Sequence, residues 1–252
     1  MPQQNQLKEE WRRLGYRDGM GSASVVPPPG ADFIRAYHLT SAEHGISSIS
    51  LRRLKVARFS EVNDPFELMA LNFRERKTRQ LVRRFKDSHN NKTGLLCFSA
   101  NWTNPVLWSH YATRHEGICL GFDLKRNRVQ QVLYEDKRLL GELEAKEDPV
   151  AIPETLQELL LRTKSRHWQY EEELRVFVDL SQATKEQGLF FRPFDEDMRL
   201  AEVILGPQSG LSLIAIRNLT NATNCGAVVF RARLAFRSFQ VVPDGKSVPE
   251  IR

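Results

Sequence analysis

The sequence predicts a single α+β domain: a mixed, mainly antiparallel sheet flanked by helices. Three observations carry that expectation. Several apolar strand-like runs follow one another without an intervening helical segment, an order that suits segregated strands and helices rather than a doubly wound sheet. The run Trp168 to Leu180 carries three successive glutamates, Glu171 to Glu173, and then alternates strictly, with Leu174, Val176, Val178 and Leu180 on one face. Finally, no Gly-x-Gly-x-x-Gly follows a strand and no P-loop is present, so the usual dinucleotide and nucleotide-triphosphate folds lack their signatures. A length of 252 residues fits one large domain or two small ones.

Taken in order, residues 1–30 read as a flexible N-terminal tail ending in the extended Val25-Val26-Pro27-Pro28-Pro29-Gly30. Residues 31–252 form the α+β domain. Phe33 to Leu39 is a strand, followed at once by a helix that Thr40 or Ser41 caps, with Glu43 completing a Thr-x-x-Glu capping box. Leu54 to Phe59 is a short strand. Asn63-Asp64-Pro65-Phe66-Glu67 predicts a turn leading into a helix start, because the residue before proline avoids the helical region and proline suits a first helical turn. Phe73 to Lys86 is a basic helix, and Asp87 to Thr93 a loop.

Gly94 to Ser99 reads as a buried strand. Asn104-Pro105 opens a helix, with asparagine as cap and proline at its first position. Trp108, Tyr111 and Ala112 share one face of that helix and His110 points away. Gly117 to Phe122 is a central strand, Gln131 to Tyr134 a short one, and Pro153 to about His167 an amphipathic helix with Leu156, Leu159, Leu160 and Thr163 on its apolar side. After the glutamate strand, Leu189 to Phe191 and Glu202 to Leu205 are strands and Leu211 to Asn221 a helix. Ala227 to Arg231 and Leu234 to Val242 are the last strands.

Hydrophobic residues make up 41% and charged residues 27%, a composition that supports a sizeable core in a soluble protein. No apolar run approaches the roughly 20 residues that span a bilayer, and Met1 to Arg13 has no signal-peptide core, so the expected location is the cytoplasm and no membrane partner is expected. Cys97, Cys119 and Cys225 lack metal-ligand spacing, and Cys97 and Cys119, inside apolar strand-like runs, read as buried reduced thiols. The net charge is +6, and much of the excess lies in Phe73 to Lys86, where seven basic residues face Glu75 alone. Such a helix suits a phosphate-rich partner, although a charge run is commonly a solvated face.

Glutamate is depleted in strands, so three at a strand mouth need a cause. Strand alternation places Glu171 and Glu173 on one side and Glu172 on the other. The pair suits a cationic or oxocarbenium-like group; Arg175 on the same face offers the competing reading, an ion pair that fixes the strand end. Tyr37-His38, Ser99 and Trp108-Ser109-His110-Tyr111 are the other polar clusters in apolar surroundings. No Gly-x-Ser-x-Gly elbow supports a serine triad, and His110 and His115 lack the spacing of a helical metal site, so no metal is assigned.

Tyr37-His38-Leu39-Thr40, Asn63-Asp64-Pro65-Phe66-Glu67, Cys97-Phe98-Ser99, Trp108-Ser109-His110-Tyr111-Ala112, the segment His115 to Asp123, and Trp168-x-Tyr170-Glu171-x-Glu173-Leu174-Arg175 resemble the signature segments of a bacterial domain-of-unknown-function family. Some of its members sit near phage-defence and abortive-infection genes, and the family carries no settled activity. More distantly, a strand-borne His38, then Phe98-Ser99, then Glu171-x-Glu173 before an apolar strand is similar to ADP-ribosyltransferases. That resemblance implies an ADP-ribosyltransferase-like fold and NAD as co-substrate. It makes Glu173 the catalytic carboxylate, with Glu171 orienting the acceptor, and His38 and Ser99 holding NAD with Tyr37 and Tyr111 beside them. Ser99 is followed by Ala100 and Asn101, so the Ser-Thr-Ser form of that family is absent.

The expected function is therefore an NAD-dependent ADP-ribosyltransferase-like effector of the toxin or phage-defence type, with a protein or nucleic-acid acceptor. The alternative is a non-catalytic nucleic-acid- or protein-binding module that uses the basic helix. A third reading is a hydrolase on a nucleotide-like ligand that uses the same carboxylates.

Overall fold

A computed structural model describes residues 25–70, 76–138 and 154–249. The chain is one α+β domain built on an eight-stranded, mainly antiparallel sheet. In chain order the sheet strands are β1 (Phe33–Thr40), β3 (Thr93–Ser99), β4 (Ile118–Lys125), β5 (Gln130–Gln131), β8 (Glu173–Asp179), β11 (Met198–Leu205), β12 (Val228–Leu234) and β13 (Val241–Pro243). They lie in the spatial order β13-β12-β11-β4-β1-β3-β8-β5, and only β11 and β12 run parallel. A three-stranded sheet joins β2 (Arg53–Val56), β9 (Thr184–Glu186) and β10 (Leu189–Pro193), and β6 (Leu133–Glu135) pairs in parallel with β7 (Thr163–Ser165).

The pairing is uneven, and this positions the site. β1 pairs with β4 along its whole length, from Phe33 opposite Lys125 to Thr40 opposite Ile118. On its other side β1 meets β3 at one register pair, Tyr37 opposite Ser99. β3 and β8 then pair continuously from Thr93 opposite Asp179 to Ser99 opposite Glu173. The sheet is thus two well-bonded halves joined at a narrow seam.

Helices α1 (Ala42–Leu51) and α5 (Leu213–Ala222) cover one core, where Ile49 and Ile216 pack with Leu120, Phe122, Val176 and Val203. Helices α2 (Arg76–Lys92) and α4 (Glu154–Arg162) cover a second, in which Leu81, Val82, Phe85 and Leu160 meet Leu95. Helix α3 (Pro105–Tyr111) closes a third around Trp102, Trp108 and Phe230. Burying an aromatic side chain such as Phe85 contributes about 1.5–3 kcal/mol. The amphipathic pattern of α2 follows from this, since its arginines Arg76, Arg79, Arg83 and Arg84 stay exposed.

Several sequence expectations are revised. Asp87 to Lys92 continues α2 rather than forming a loop: nothing there breaks a helix, and the His89 and Asn91 side chains bond the Phe85 and Asp87 carbonyls within it. The helix expected through His167 ends at Arg162, where Thr163 to Ser165 pairs with β6; Pro153 lies outside the described residues, and Leu159 is exposed. Ser41, accepting from His44 N–H, caps α1, so the Thr40–Glu43 capping box does not form. Asn63 to Glu67 is a turn without a helix, because Asp64 Oδ1 takes the Phe66 N–H and Leu68 sits at φ 61°. The last expected strand is a loop from Ala235 to Gln240 followed by the short β13. Gln131 to Tyr134 divides between β5 and β6.

Of the expected tail, residues 1–24 lie outside the described residues, as do Phe73 to Glu75 of the basic run. Val26 N–H donates to Glu202 Oε1 at 3.2 Å and Arg35 Nη2 to the Pro27 carbonyl at 3.2 Å, so Val25 to Gly30 lies against the sheet.

Candidate active site

A cavity of about 260 Å³ opens at the seam between β1 and β3. Tyr37, His38, Ser99, Tyr111, Glu171 and Glu173 all line it. The structure therefore brings together all six residues singled out from the sequence, though not all in the expected roles.

The strand that supplies Glu173 begins there and not at Glu171. Arg166–Glu171 is a short 3-10 helix, Glu172 follows at φ 45°, and β8 starts with Glu173. Strand alternation consequently does not pair Glu171 with Glu173. Lys164 does: its Nζ donates to Glu171 Oε2 at 2.5 Å and to Glu173 Oε2 at 3.0 Å. The left-handed turn at Glu172 sends that side chain outward, where it accepts from Asn101 Nδ2 at 3.3 Å.

Arg175 is the second cation and one of the most buried side chains, at 1% exposure. Its guanidinium forms a two-pronged pair with Glu67, at 2.7 and 2.9 Å, and a second with Glu173, at 2.8 and 3.2 Å; Nη1 also reaches the Leu161 carbonyl at 2.8 Å. Every direction of the guanidinium fork thus has an acceptor, the geometry in which a buried arginine is tolerated. Glu67 comes from the turn after Pro65. Lys86 Nζ braces that turn by donating to the Glu67 carbonyl at 3.2 Å.

The electrostatics separate the two glutamates. Burial alone would raise Glu173, but Arg175 and Lys164 outweigh it and hold its pKa at about 2. For Glu171 burial wins, and its carboxyl lies above its ordinary value although Lys164 and Tyr111 favour the charged form. Lys164 is raised despite burial, by Glu173 and Glu171, and so is charged. Three buried carboxylates, Glu67, Glu171 and Glu173, face two buried cations, Lys164 and Arg175; Glu61, paired with Lys55 and Arg58 outside the lining, is a fourth carboxylate on the wall, so carboxylates outnumber cations around the cavity.

Tyr111 donates its hydroxyl proton to Glu171 Oε1 and accepts from Asn63 Nδ2 at 2.7 Å. Burial and the Glu171 charge push its pKa up, so it remains a donor. His38 Nδ1 lies 3.0 Å from the Cys97 carbonyl. A carbonyl only accepts, so Nδ1 carries the proton and Nε2 is left as an acceptor. Burial lowers the imidazole pKa and favours this neutral form. Phe98 meets the His38 ring edge-on at 5.9 Å and adds an aromatic wall.

Ser99 is less free than its expected role requires. Its hydroxyl donates to the Asn101 carbonyl at 2.7 Å and accepts the Asn101 N–H at 3.0 Å, which shapes the turn after β3. Tyr37 reaches the cavity wall from the aromatic core it shares with Trp102 and Trp108. Sequence reasoning missed Glu67, Lys164, Asn63 and Tyr134, whose hydroxyl accepts the Glu173 N–H at 2.8 Å. Glu67 and Asn63 stood inside a quoted motif, and a buried arginine beside Glu173 called for a second carboxylate. Nothing local marked Lys164.

Among the described residues, no group of three or more His, Cys, Asp and Glu side chains is arranged to hold a metal ion, and no helix is long and apolar enough to cross a membrane. No protein-family model, curated protein or solved structure matches the chain. Fold and site together define an α+β domain whose sheet seam carries a small, acidic, partly aromatic cavity.

Proposed function

We propose that the chain is an ADP-ribosyltransferase-like enzyme that takes NAD as co-substrate, as an effector of the toxin or phage-defence type would. The observation that carries this reading is the surplus negative charge on the wall of a cavity that Tyr111, His38 and Phe98 make partly aromatic. A volume of about 260 Å³ lies near the lower end for ligand pockets and suits the nicotinamide-ribose half of NAD rather than the whole dinucleotide.

Nicotinamide in NAD is a cationic ring. When the bond between ribose C1′ and the ring nitrogen breaks, its electron pair goes to nitrogen and discharges the ring. The positive charge passes to the ribose, where a fixed carboxylate stabilises it. The acceptor then bonds to C1′ and gives up a proton. Glu171 suits these steps better than Glu173: Lys164 contacts both, but burial leaves the Glu171 pKa raised, so it is the better proton acceptor, whereas Arg175 adds its charge to that of Lys164 and holds Glu173 ionised. Glu173 and Glu67 then position Arg175 and Lys164, and His38 Nε2 offers an acceptor to a ribose hydroxyl. This exchanges the roles that the family resemblance implies for the two glutamates.

The test is incubation of the full chain with NAD labelled in the nicotinamide ring or in the adenylate, with cell extract as acceptor. Wild type is expected to release nicotinamide and to transfer the adenylate label. Glu171→Gln, which keeps shape and removes charge, is expected to lower both by about 100-fold or more. Equal rates from wild type and Glu171→Gln remove Glu171 from the chemistry, and no release from wild type removes the transferase reading.

A second reading, a non-catalytic binding module, is favoured by the exposed arginines of α2. It predicts salt-sensitive binding to polyanions that Arg76→Glu with Arg83→Glu abolishes and Glu171→Gln leaves intact.

A further inference from the structure

The loop between β12 and β13 exposes more apolar surface than its chemistry explains. Phe236 is 88% and Phe239 99% exposed, and Leu234 before them is 54% exposed. Folded monomers show isolated exposed apolar residues freely, but whole phenylalanine rings clustered on one short loop mark an interaction surface. The loop is not a frayed end: Ala235 N–H donates to the Gln240 carbonyl at 2.9 Å, closing its base, and Val241 N–H donates to Thr103 at 2.8 Å, tying it to the start of α3.

Arginines are interleaved with the rings. From Arg233 to Gln240 the chain carries Arg233 and Arg237 and no carboxylate. The Arg233 guanidinium lies 4.4 Å from the Phe236 ring centroid, a cation stacked on an aromatic face. The loop itself, from Leu234 to Gln240, forms with Pro105 and His115 a groove of about 710 Å³. His115 belongs to three consecutive non-glycine residues in the left-handed region, Thr113, Arg114 and His115. Its carbonyl accepts Gln208 N–H at 3.1 Å and holds that segment in place.

We propose that this loop and groove bind a single-stranded nucleic acid. Phenylalanine and histidine rings offer faces on which bases stack, and the arginines offer charge to phosphates; that combination of stacking platform and basic lining characterises single-strand binding. The groove decides against the nearest alternative, an anionic membrane, because a membrane wedge needs only protruding apolar side chains, whereas bases need a slot beside them. The inference does not rest on the NAD reading. It does connect to it through α3, whose Pro105 lines the groove and whose Leu107 and Tyr111 line the cavity. A strand held by the loop lies along the helix that forms the cavity wall, the position of an acceptor.

The test measures anisotropy of a fluorescent oligothymidylate titrated with the full chain at low salt. A duplex of equal length and vesicles of phosphatidylcholine with phosphatidylserine serve as parallel probes. The expected result is binding that prefers the single strand, weakens with salt, and falls by about ten-fold or more in Phe236→Ala with Phe239→Ala, while thermal melting is unchanged. Nicotinamide release, if present, is unchanged in that variant without nucleic acid, so a failure of the NAD reading and a failure of this one are separable. Any of four outcomes overturns the proposal: no oligonucleotide binding by wild type; equal affinity in the double variant; loss only in Arg76→Glu with Arg83→Glu, which locates binding on α2; or vesicle binding or self-association, rather than strand binding, as what the double variant loses.

Discussion

Two arginine–carboxylate clusters, one buried around Arg175 and one half-buried around Arg35, sit on the same sheet and do different things. Arg35 on β1 meets Asp123 on β4 at 2.5 Å and Glu202 on β11 at 3.3 Å. These strands are already hydrogen-bonded along their length, and Arg35 and Asp123 are register partners. Gly121 makes room there, since a Cβ at that position would lie 2.9 Å from Glu202 Oε2. Arg175, by contrast, joins β8 to the turn at Glu67, which no sheet pairing attaches to it, and Lys164 adds the 3-10 turn at Glu171. One cluster reinforces a sheet; the other holds separate segments around a cavity. The lesson is that a buried ion pair gains chemical meaning from what it separates from solvent and what it leaves open, since the pair by itself contributes little net stability.

Breaking the second cluster has the largest expected effect. Arg175→Met removes the partner of two buried carboxylates and should cost about 3–5 kcal/mol, read as a shift of the urea midpoint. Next is pH. The folded pKa of Glu173, about 2, lies below its ordinary 4.5. Its contribution, on the order of 3 kcal/mol, is therefore fully present above pH 4.5 and lost as pH falls toward 2. Denaturant midpoints of Glu173→Gln should accordingly show a shallower acid limb than wild type. Glu171, with a raised pKa, works in the opposite sense: its contribution is full below 4.5 and is lost as pH rises through its folded value.

Arg35→Met should cost less, about 1–3 kcal/mol, because the strands it joins stay paired without it. A loss equal to that of Arg175→Met in the same titration would erase the contrast between the clusters. The smallest effect is expected from Arg83→Ala on the exposed face of α2, within about 0.5 kcal/mol. A larger change in its melting curve would mean that the basic face is part of the packing.

Much of the fold was legible locally. Asn104 caps α3 through the Val106 N–H, with Pro105 at its first turn, as the dipeptide predicts. Leu174, Val176, Val178 and Leu180 are buried together, as their alternation predicts. The grouping of Glu171 with Glu173 also emerged, but for a reason the sequence does not contain: Lys164 collects them, and strand alternation plays no part. The helix expected to run through position 164 had masked that lysine, because periodicity cannot signal that a side chain leaves a helix pattern to meet charges elsewhere.

By itself, then, the sequence determined the elements whose causes are local: strand alternation, helix caps, and the absence of nucleotide-loop glycines. Only the tertiary structure decided the site. Glu67 and Arg175 lie 108 residues apart and meet because a buried guanidinium must have its donors satisfied. The cavity exists because β1 and β3 share one register pair and part from there. Hydrogen-bond registry and charge compensation act across the folded chain, so the residues they join carry no signal to one another along it.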